Sequence, residues 1–393
     1  MNNKLILKEI CLKDNTFSYQ YEVTGYWKKY FSLDKSLSVL YNVKIVDVPY
    51  STAVIPFLYV FMPLAWMFQA TVEIKEVDEE MLIGLENYKE ELKKIYPRLR
   101  LYETQINAER IVREDKERKN SAVYFSGGVD AWATLLEHLD KKPYLITIIG
   151  ADVDIDNSEA EEKVLMEMKK VASDFSLKPL IIKTNMRKVV NERNLHRFIF
   201  AKENIGYWQG IAAGIGIIGL AAPVSEQLEI GEIYVSTSIT DDQISLICRD
   251  GIIGPLINSL MWSGTTVKSY GESVNRQEKI EKIVSHAKEN RTPIYIRACW
   301  RDKMGKNCCK CEKCYRTLMG IVATGENPYD FGFDIHTFDY IKIAGYMKKW
   351  FKNNYKGSYR TTPYIFWEEI RERNISKKWY LKWLEHCSFE DEE

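Results

Sequence analysis

Five of the eight cysteines of this 393-residue chain lie between Cys299 and Cys314. Taken as Cys299, Cys308, Cys311 and Cys314, they have the spacing C-x8-C-x2-C-x2-C. Four thiolates at such spacing can close a tetrahedral shell around Zn²⁺ with no position left for water. The expected metal is therefore structural: it folds the site and performs no reaction. Cys309 is a fifth thiol that could replace Cys308 or stay free. A reactive, sulfur-carrying Cys309 is the alternative.

The second pattern is Ser126-Gly127-Gly128-Val129-Asp130, between a short apolar run and a helical one. Two glycines let successive backbone N–H groups turn into one concavity, an anion nest, and a following helix adds its positive end. Ser126 can donate its hydroxyl to a phosphate oxygen. Asp130 would repel phosphate, so it is expected to orient Mg²⁺ or the loop itself. Lys183, with Asn185 and Arg187, follows a later strand, where it could meet a nucleotide or serve as ordinary loop polarity. Asp152, Asp154 and Asp156 could hold Mg²⁺, but a solvated turn is the expectation.

These residues need a frame, and the pattern of the chain supplies one. From Ser121 onward, strands and helices alternate: strands at 121–125, 143–149, 177–184 and 232–237, helices at 131–139 and 158–173. Such alternation predicts an α/β fold with a parallel, doubly wound sheet whose ligands bind at the C-terminal strand ends. Residues 1–118 read as a separate α+β domain with strands near 17–23 and 41–48 and a helix from about 78 to 94. Residues 103–120 read as a solvated helix or linker. The body is expected over 119–325, and 326–393 forms a helical tail. That tail interleaves basic residues with Trp350, Phe351, Tyr355, Tyr359, Trp367, Trp379 and Tyr380. It could stack on nucleic acid, but the expectation is an amphipathic tail that buries its aromatics.

The loop resembles the pyrophosphate loop of the ATP pyrophosphatase (PP-loop) family, Ser-Gly-Gly-x-Asp-Ser/Thr, with Ala131 at the last position. The cysteine array followed by Tyr315-Arg316-Thr317-Leu318 is similar to the zinc site of 7-cyano-7-deazaguanine synthases. A weaker likeness lies in 267–280, where a helix opens with Lys279 and a glutamate. The stretch Ser236-Thr-Ser-Ile-Thr-Asp241-Asp242 keeps carboxylates but not the rest of those enzymes' substrate segment. The resemblance covers about 121–320. It implies an adenine-nucleotide alpha-hydrolase-like (HUP) sheet of five parallel strands with a Zn(Cys)₄ knob. It implies ATP, Mg²⁺ and Zn²⁺ as cofactors, with Ser126, Gly127, Gly128, Val129, Asp130 and Lys183 around the nucleotide and Ser126 and Asp130 as catalytic residues. The implied reaction is adenylation of a carboxylate or amide oxygen, then attack by a nitrogen nucleophile. Sulfur transfer to tRNA, a non-catalytic ATP-binding scaffold and a nucleic-acid-binding module are the alternatives.

Lys+Arg and Asp+Glu both number 55, so no net charge draws a polyanionic partner. No signal peptide is read at the N-terminus, and crowded cysteines at metal spacing point to a reducing cytoplasm. Two uncharged runs, 48–72 and 205–225, have the composition of candidate membrane spans. Pro49, Pro56 and Pro63 interrupt the first, and Gly206, Gly210 and Gly214 suit close backbone packing in a soluble core, so no membrane is expected. The acceptor would be a small molecule or a macromolecule, with a protein partner at the N-terminal domain and a homodimer as further expectations.

Overall fold

The computed structural model describes residues 2–247, 251–299, 306–334, 340–354, 362–374 and 382–385. The chain divides into a larger unit, Met1–Tyr124, Lys141–Val235 and Arg249–Tyr270, and a smaller one, Phe125–Asp140, Ser236–Cys248 and Gly271–Glu393.

The larger unit is built on one eleven-stranded sheet. Its strands are β1 (Lys4–Lys13), β2 (Thr16–Thr24), β3 (Leu37–Tyr41), β4 (Thr71–Asp78), β5 (Ile106–Val112), β6 (Asn120–Tyr124), β7 (Tyr144–Ile149), β8 (Lys178–Thr184), β9 (Ile230–Ser236), β10 (Met261–Trp262) and β11 (Thr265–Tyr270). The order is β10-β11-β9-β6-β7-β8-β3-β2-β1-β4-β5. β9, β6, β7 and β8 form a parallel core. Their apolar runs carry Ala122, Val123, Leu145, Ile146, Leu180, Ile182 and Ile233, all fully buried, as expected of strands covered on both faces.

Between β7 and β8 the helix Ser158–Asp174 makes the crossover. Asn157 caps it by accepting the Ala160 N–H at 3.1 Å. Ala160, Val164, Met168 and Ala172 recur every fourth residue and form its buried stripe. Ala160 and Val164 pack with Ile149 and Val153.

The sheet runs across the domain boundary expected at residue 118. Beyond the parallel core, β8 meets β3 antiparallel, with Leu40 opposite Lys183, and β2, β1, β4 and β5 follow. Side chains extend this seam: Asn42 accepts the Ile181 N–H at 2.8 Å, and the Thr184 hydroxyl donates to the Ser38 carbonyl at 2.9 Å. Sequence periodicity carries no record of which strands pair, so the seam was invisible in it. Two local expectations also change. Residues 42–48 are not strand, and Asp47 takes a positive φ of 52° that breaks an extended run. Within 103–120 lies β5, an edge strand whose charged residues discourage further pairing.

Both uncharged runs lie inside. All fourteen residues of the helix Ile55–Phe68 are buried, with Pro56 in its first turn, where no N–H is missed. The stretch Trp208–Gln227 is long and apolar enough to cross a membrane, but 78% of that window is buried within the structure. Gly214 explains its close packing: a Cβ there would lie 2.1 Å from the Gly251 carbonyl oxygen.

The smaller unit is mainly helical. Helices Val129–Glu137, Asp241–Ile247, Arg276–Asn290, Glu312–Ala323, Tyr340–Asn354 and Thr362–Glu372 belong to it. Phe351 and Trp367 of the tail are buried, and the Trp367 indole donates to Glu312 at 3.1 Å. Phe351 and Trp367 thus pack inward, and Trp350 is half-buried. Tyr355, Tyr359, Trp379 and Tyr380 lie outside the described residues.

Candidate functional site

The loop after β6 has the conformation its glycines permit. Gly127 sits at φ +76°, the left-handed region, and Gly128 is the N-cap of Val129–Glu137. The Ser126 Oγ accepts the Gly128 N–H at 3.4 Å. Arg297 fastens the turn: its Nε and Nη2 donate to the Ser126 carbonyl at 3.0 and 2.7 Å, and its backbone N–H to the Gly127 carbonyl at 2.8 Å. The loop carbonyls are thereby turned to Arg297. Val129 is fully buried, backbone included, and presents no surface to a ligand. Thr134 does not replace the hydroxyl missing at Ala131, because it is buried and donates to the Asp130 carbonyl at 2.9 Å.

Asp130 faces two cations from the helix Arg276–Asn290. Arg276 Nη1 donates to its Oδ2 at 2.6 Å, and Lys279 Nζ to its Oδ1 at 3.4 Å. Asn275 starts that helix with a reciprocal capping box with Glu278. The three-residue spacing then sets Arg276 and Lys279 on one face. Both are desolvated, Arg276 at 4% and Lys279 at 0% exposure. Burial works to raise the Asp130 carboxyl, but the charges of Arg276, Lys279 and Lys313 outweigh it and hold the group below its usual range. Burial lowers Lys279 more than Asp130 raises it. Lys279 also donates to the Thr237 carbonyl at 2.7 Å.

Arg316, from Glu312–Ala323, adds a third buried cation at 5% exposure. It lies over the Phe366 ring at 4.4 Å, and Arg276 lies over the same ring at 5.3 Å. Burial pulls the Arg316 guanidinium down to about 10, so it remains charged at neutral pH. Glu369 accepts the N–H groups of Arg276 and Gln277 at 3.0 and 3.3 Å and the Gln243 amide at 2.8 Å. It therefore serves the helix start, and burial raises its carboxyl.

This constellation is a cluster of desolvated cations beside a glycine turn and a helix N-terminus, the chemistry of an oxyanion site. Asp130 does not fit a Mg²⁺ ligand here, since both its oxygens are engaged by cations. It pairs instead with Arg276 and Lys279 of the helix Arg276–Asn290. Lys183 is not free for a nucleotide either: it lies within β8, in the larger unit, and pairs with Glu161 at 2.6 Å. Asn185 is spent on the Ser36 and Ser38 backbone, and Arg187 on Glu192. Lys188 bridges Asp154 and Asp156 at 3.0 and 3.1 Å, the solvated turn that was expected.

Cys299, Cys308, Cys311 and Cys314 do converge, with their sulfurs all within 4.8 Å of one another. The Cys299–Cys311 and Cys308–Cys314 separations are 4.0 and 3.8 Å. A Zn–S bond of about 2.3 Å in a tetrahedron places sulfurs about 3.8 Å apart, so the group fits zinc. Local folding explains the convergence. Cys311 is the N-cap of Glu312–Ala323 and Cys314 lies in its first turn, while Cys309 turns the chain at φ +52°. Without a cation Cys311 and Cys314 do not ionise together. The Cys314 thiol's hydrogen bond holds Cys311 down to about 5, and donating it pushes Cys314 far up. A dication removes that conflict. Among the described residues this is the one group of three or more such ligands that converges. Cys309 stands apart from it, donates to the Asn307 carbonyl at 3.6 Å and is pushed by burial up to about 11.

Two positioning residues were missed in the sequence. One is Arg297. The other is the buried Asn307, whose Oδ1 accepts the N–H groups of Ala298 and Cys299 at 2.9 and 3.2 Å. Its Nδ2 donates to the Ile296 and Gly332 carbonyls at 2.7 and 3.0 Å. Arg276 was in view but unassigned. The Asn275-x-x-Glu278 signature was the signal that would have placed it in a first helical turn.

Compared with family models, curated proteins and solved structures, the chain matches none. What the chain itself defines is an α/β protein with a large, mostly parallel eleven-stranded sheet and a four-cysteine group suited to a metal such as zinc.

Proposed function

We propose that this chain is an ATP-dependent adenylating enzyme of the PP-loop type, with a HUP-type core and a structural Zn(Cys)₄ knob. The single observation that carries the reading is Asp130, in the first turn after the glycine loop, held against the desolvated Arg276 and Lys279. Loop N–H groups and buried cations are fixed before any reaction, which is the arrangement that stabilises charge on a departing pyrophosphate. The likeness of 126–130 to the pyrophosphate loop supports ATP as the nucleotide.

In the proposed reaction a carboxylate or amide oxygen of the acceptor attacks the α-phosphorus, and pyrophosphate leaves with the electron pair of the broken P–O bond. Ammonia or an amine then attacks the activated carbon, and AMP leaves. Arg276 and Lys279 would bind and orient the leaving phosphates. Zinc would hold the Cys299–Cys314 segment, whose extended N-terminal flank carries Arg297 to the loop. The inward packing of Phe351 and Trp367 favours this reading over a nucleic-acid-stacking tail.

The test is ATP turnover by the zinc-loaded chain with Mg²⁺, ammonia and a panel of carboxylates that includes 7-carboxy-7-deazaguanine. AMP and pyrophosphate formed in equal amounts, dependent on one acceptor, are expected. ADP and phosphate, or ATP bound with no pyrophosphate under any acceptor, would overturn it.

A further inference from the structure

The smaller unit holds a cleft of about 330 Å³ whose wall carries Asp242, Glu278, Glu368, Glu369 and Glu372 but no lysine or arginine. Most of that charge comes from one helix stripe. Ile365, Glu368, Glu369 and Glu372 recur at three- and four-residue spacing along Thr362–Glu372 and so share a face. Ile365 and Glu369 are buried, whereas Asp242 and Glu372 are exposed, which gives the cleft a closed floor and an acidic rim. Arg373 offsets Glu278 at 3.1 Å. Burial raises the Glu369 carboxyl despite the N–H groups it accepts, and burial with the charges of Glu272 and Asp242 raises neighbouring Asp241. The wall therefore carries a surplus of negative charge. Thr240 supplies an independent sign of a ligand. It lines the cleft at 6% exposure, and its hydroxyl has no hydrogen-bond partner among the described residues. That hydroxyl is not sealed in protein, so it opens on the cleft.

We infer that this cleft binds a linear aliphatic polyamine, whose ammonium groups pair with the Glu368, Glu369 and Glu372 carboxylates and donate to the Thr240 hydroxyl. The volume lies at the lower end of small-molecule sites, about 300–1,000 Å³. A neutral or anionic ligand would meet carboxylates without compensation. A single metal ion does not fit, because among the described residues only the cysteines bring three or more such ligand atoms together. Charges spread along a stripe call instead for a ligand with several separated cations. Glu368 and Glu372 stand about 6 Å apart along the helix axis, the separation that short methylene links give successive amines. Like charges four residues apart work against their own helix, and a bound polycation relieves that repulsion. The site needs neither the glycine loop nor a nucleotide. Glu369 also accepts the Arg276 N–H at 3.0 Å, so the cleft adjoins the helix whose side chains face Asp130.

The test is calorimetry on the zinc-loaded full chain, without nucleotide and at fixed ionic strength, with spermidine, butylamine and Mg²⁺. Spermidine is expected to bind once per chain and at least tenfold more tightly than butylamine or Mg²⁺. Glu372→Lys, at an exposed position, should weaken it at least tenfold. Thr240→Val, which keeps the shape and loses the hydroxyl, should weaken it at least threefold. Glu289→Gln, exposed on Arg276–Asn290 but outside the cleft, should bind as wild type does. Melting temperature and zinc content are read for each variant, and Glu372→Lys decides if Thr240→Val melts early. No spermidine binding, or several weak sites lost equally in Glu289→Gln and Glu372→Lys, would overturn the site in favour of diffuse surface charge. Mg²⁺ bound as tightly as spermidine would overturn the polyamine. Failure of ATP turnover would leave this inference standing, because the binding is read without ATP.

Discussion

Arg276 and Asp130 lie 146 residues apart in sequence and are joined by a 2.6 Å charge-assisted hydrogen bond. The pair couples the first turn of the loop helix to the first turn of Arg276–Asn290. Arg276 is almost fully desolvated, while the Asp130 side chain keeps 20% exposure. Removing the carboxylate leaves a buried cation short of its partner, so Asp130→Asn is expected to destabilise the chain by about 2–4 kcal/mol. Chemical denaturation at neutral pH checks this.

The same pair sets a pH dependence. Asp130 has a folded pKa below its ordinary value, so between the two values the unfolded chain binds more protons. Its contribution is then fully present above the ordinary carboxylate range and is lost as pH falls through the folded pKa. The stability gap between wild type and Asp130→Asn is expected to be constant from pH 7 to about 5 and to shrink in more acid solution. Melting curves of both proteins over that range measure it, and a gap that widens in acid would show the sign to be wrong.

For the metal, the convergence of four sulfurs with Cys309 outside them makes a split prediction. The purified chain is expected to hold one zinc per molecule. Cys308→Ser or Cys314→Ser should lose it and lower the melting temperature by ten degrees or more. Cys309→Ser should keep it. Elemental analysis of the three variants decides, and zinc lost from Cys309→Ser would place that thiol in the shell.

What sequence could and could not reveal follows from the range of each interaction. The cysteine shell was legible because three of its ligands are set by one turn and one helix start, all within Cys308–Cys314. The loop was legible for the same reason, since Gly127 and Gly128 are local conformational demands. The crossover helix Ser158–Asp174 followed from its four-residue stripe and its Asn157 cap. The seam between β3 and β8 was not legible, because Leu40 and Lys183 meet through backbone hydrogen bonds that any residue can make. Of the two roles read for Lys183, nucleotide contact or ordinary polarity, the structure shows it paired with Glu161. Arg297 was missed because it acts on the loop across 171 residues, through carbonyls rather than a patterned side chain.

Two glycines separate conformational strain from steric exclusion. A Cβ at Gly127 would meet Arg297 Cβ no closer than 3.5 Å, so space is available and only the φ of +76° resists. Gly127→Ala is expected to cost about 1 kcal/mol of stability and to impair the proposed nucleotide binding tenfold or more by shifting the loop. At Gly214 the φ is ordinary, but a Cβ would collide with the Gly251 backbone. Gly214→Ala should therefore cost about 2–4 kcal/mol without a specific effect on binding. Denaturation and ATP titration of both variants separate the two cases, and equal stability losses would refute the distinction.

Asn307 carries the last prediction. Its amide makes four hydrogen bonds to backbone groups of residues 296, 298, 299 and 332, all within the smaller unit. It thereby sets the backbone on which Cys299 approaches the other three sulfurs, and on which Arg297 reaches the loop. Asn307→Asp keeps the acceptor and loses two donors, whereas Asn307→Ala strands all four backbone partners. At about 1 kcal/mol or more for each buried group left unpaired, Asn307→Ala should cost about 3–4 kcal/mol and weaken zinc retention against a chelator. Asn307→Asp should fall between it and wild type. If metal retention in Asn307→Ala equals wild type while stability drops, Asn307 holds the fold of this segment but does not position the metal ligand.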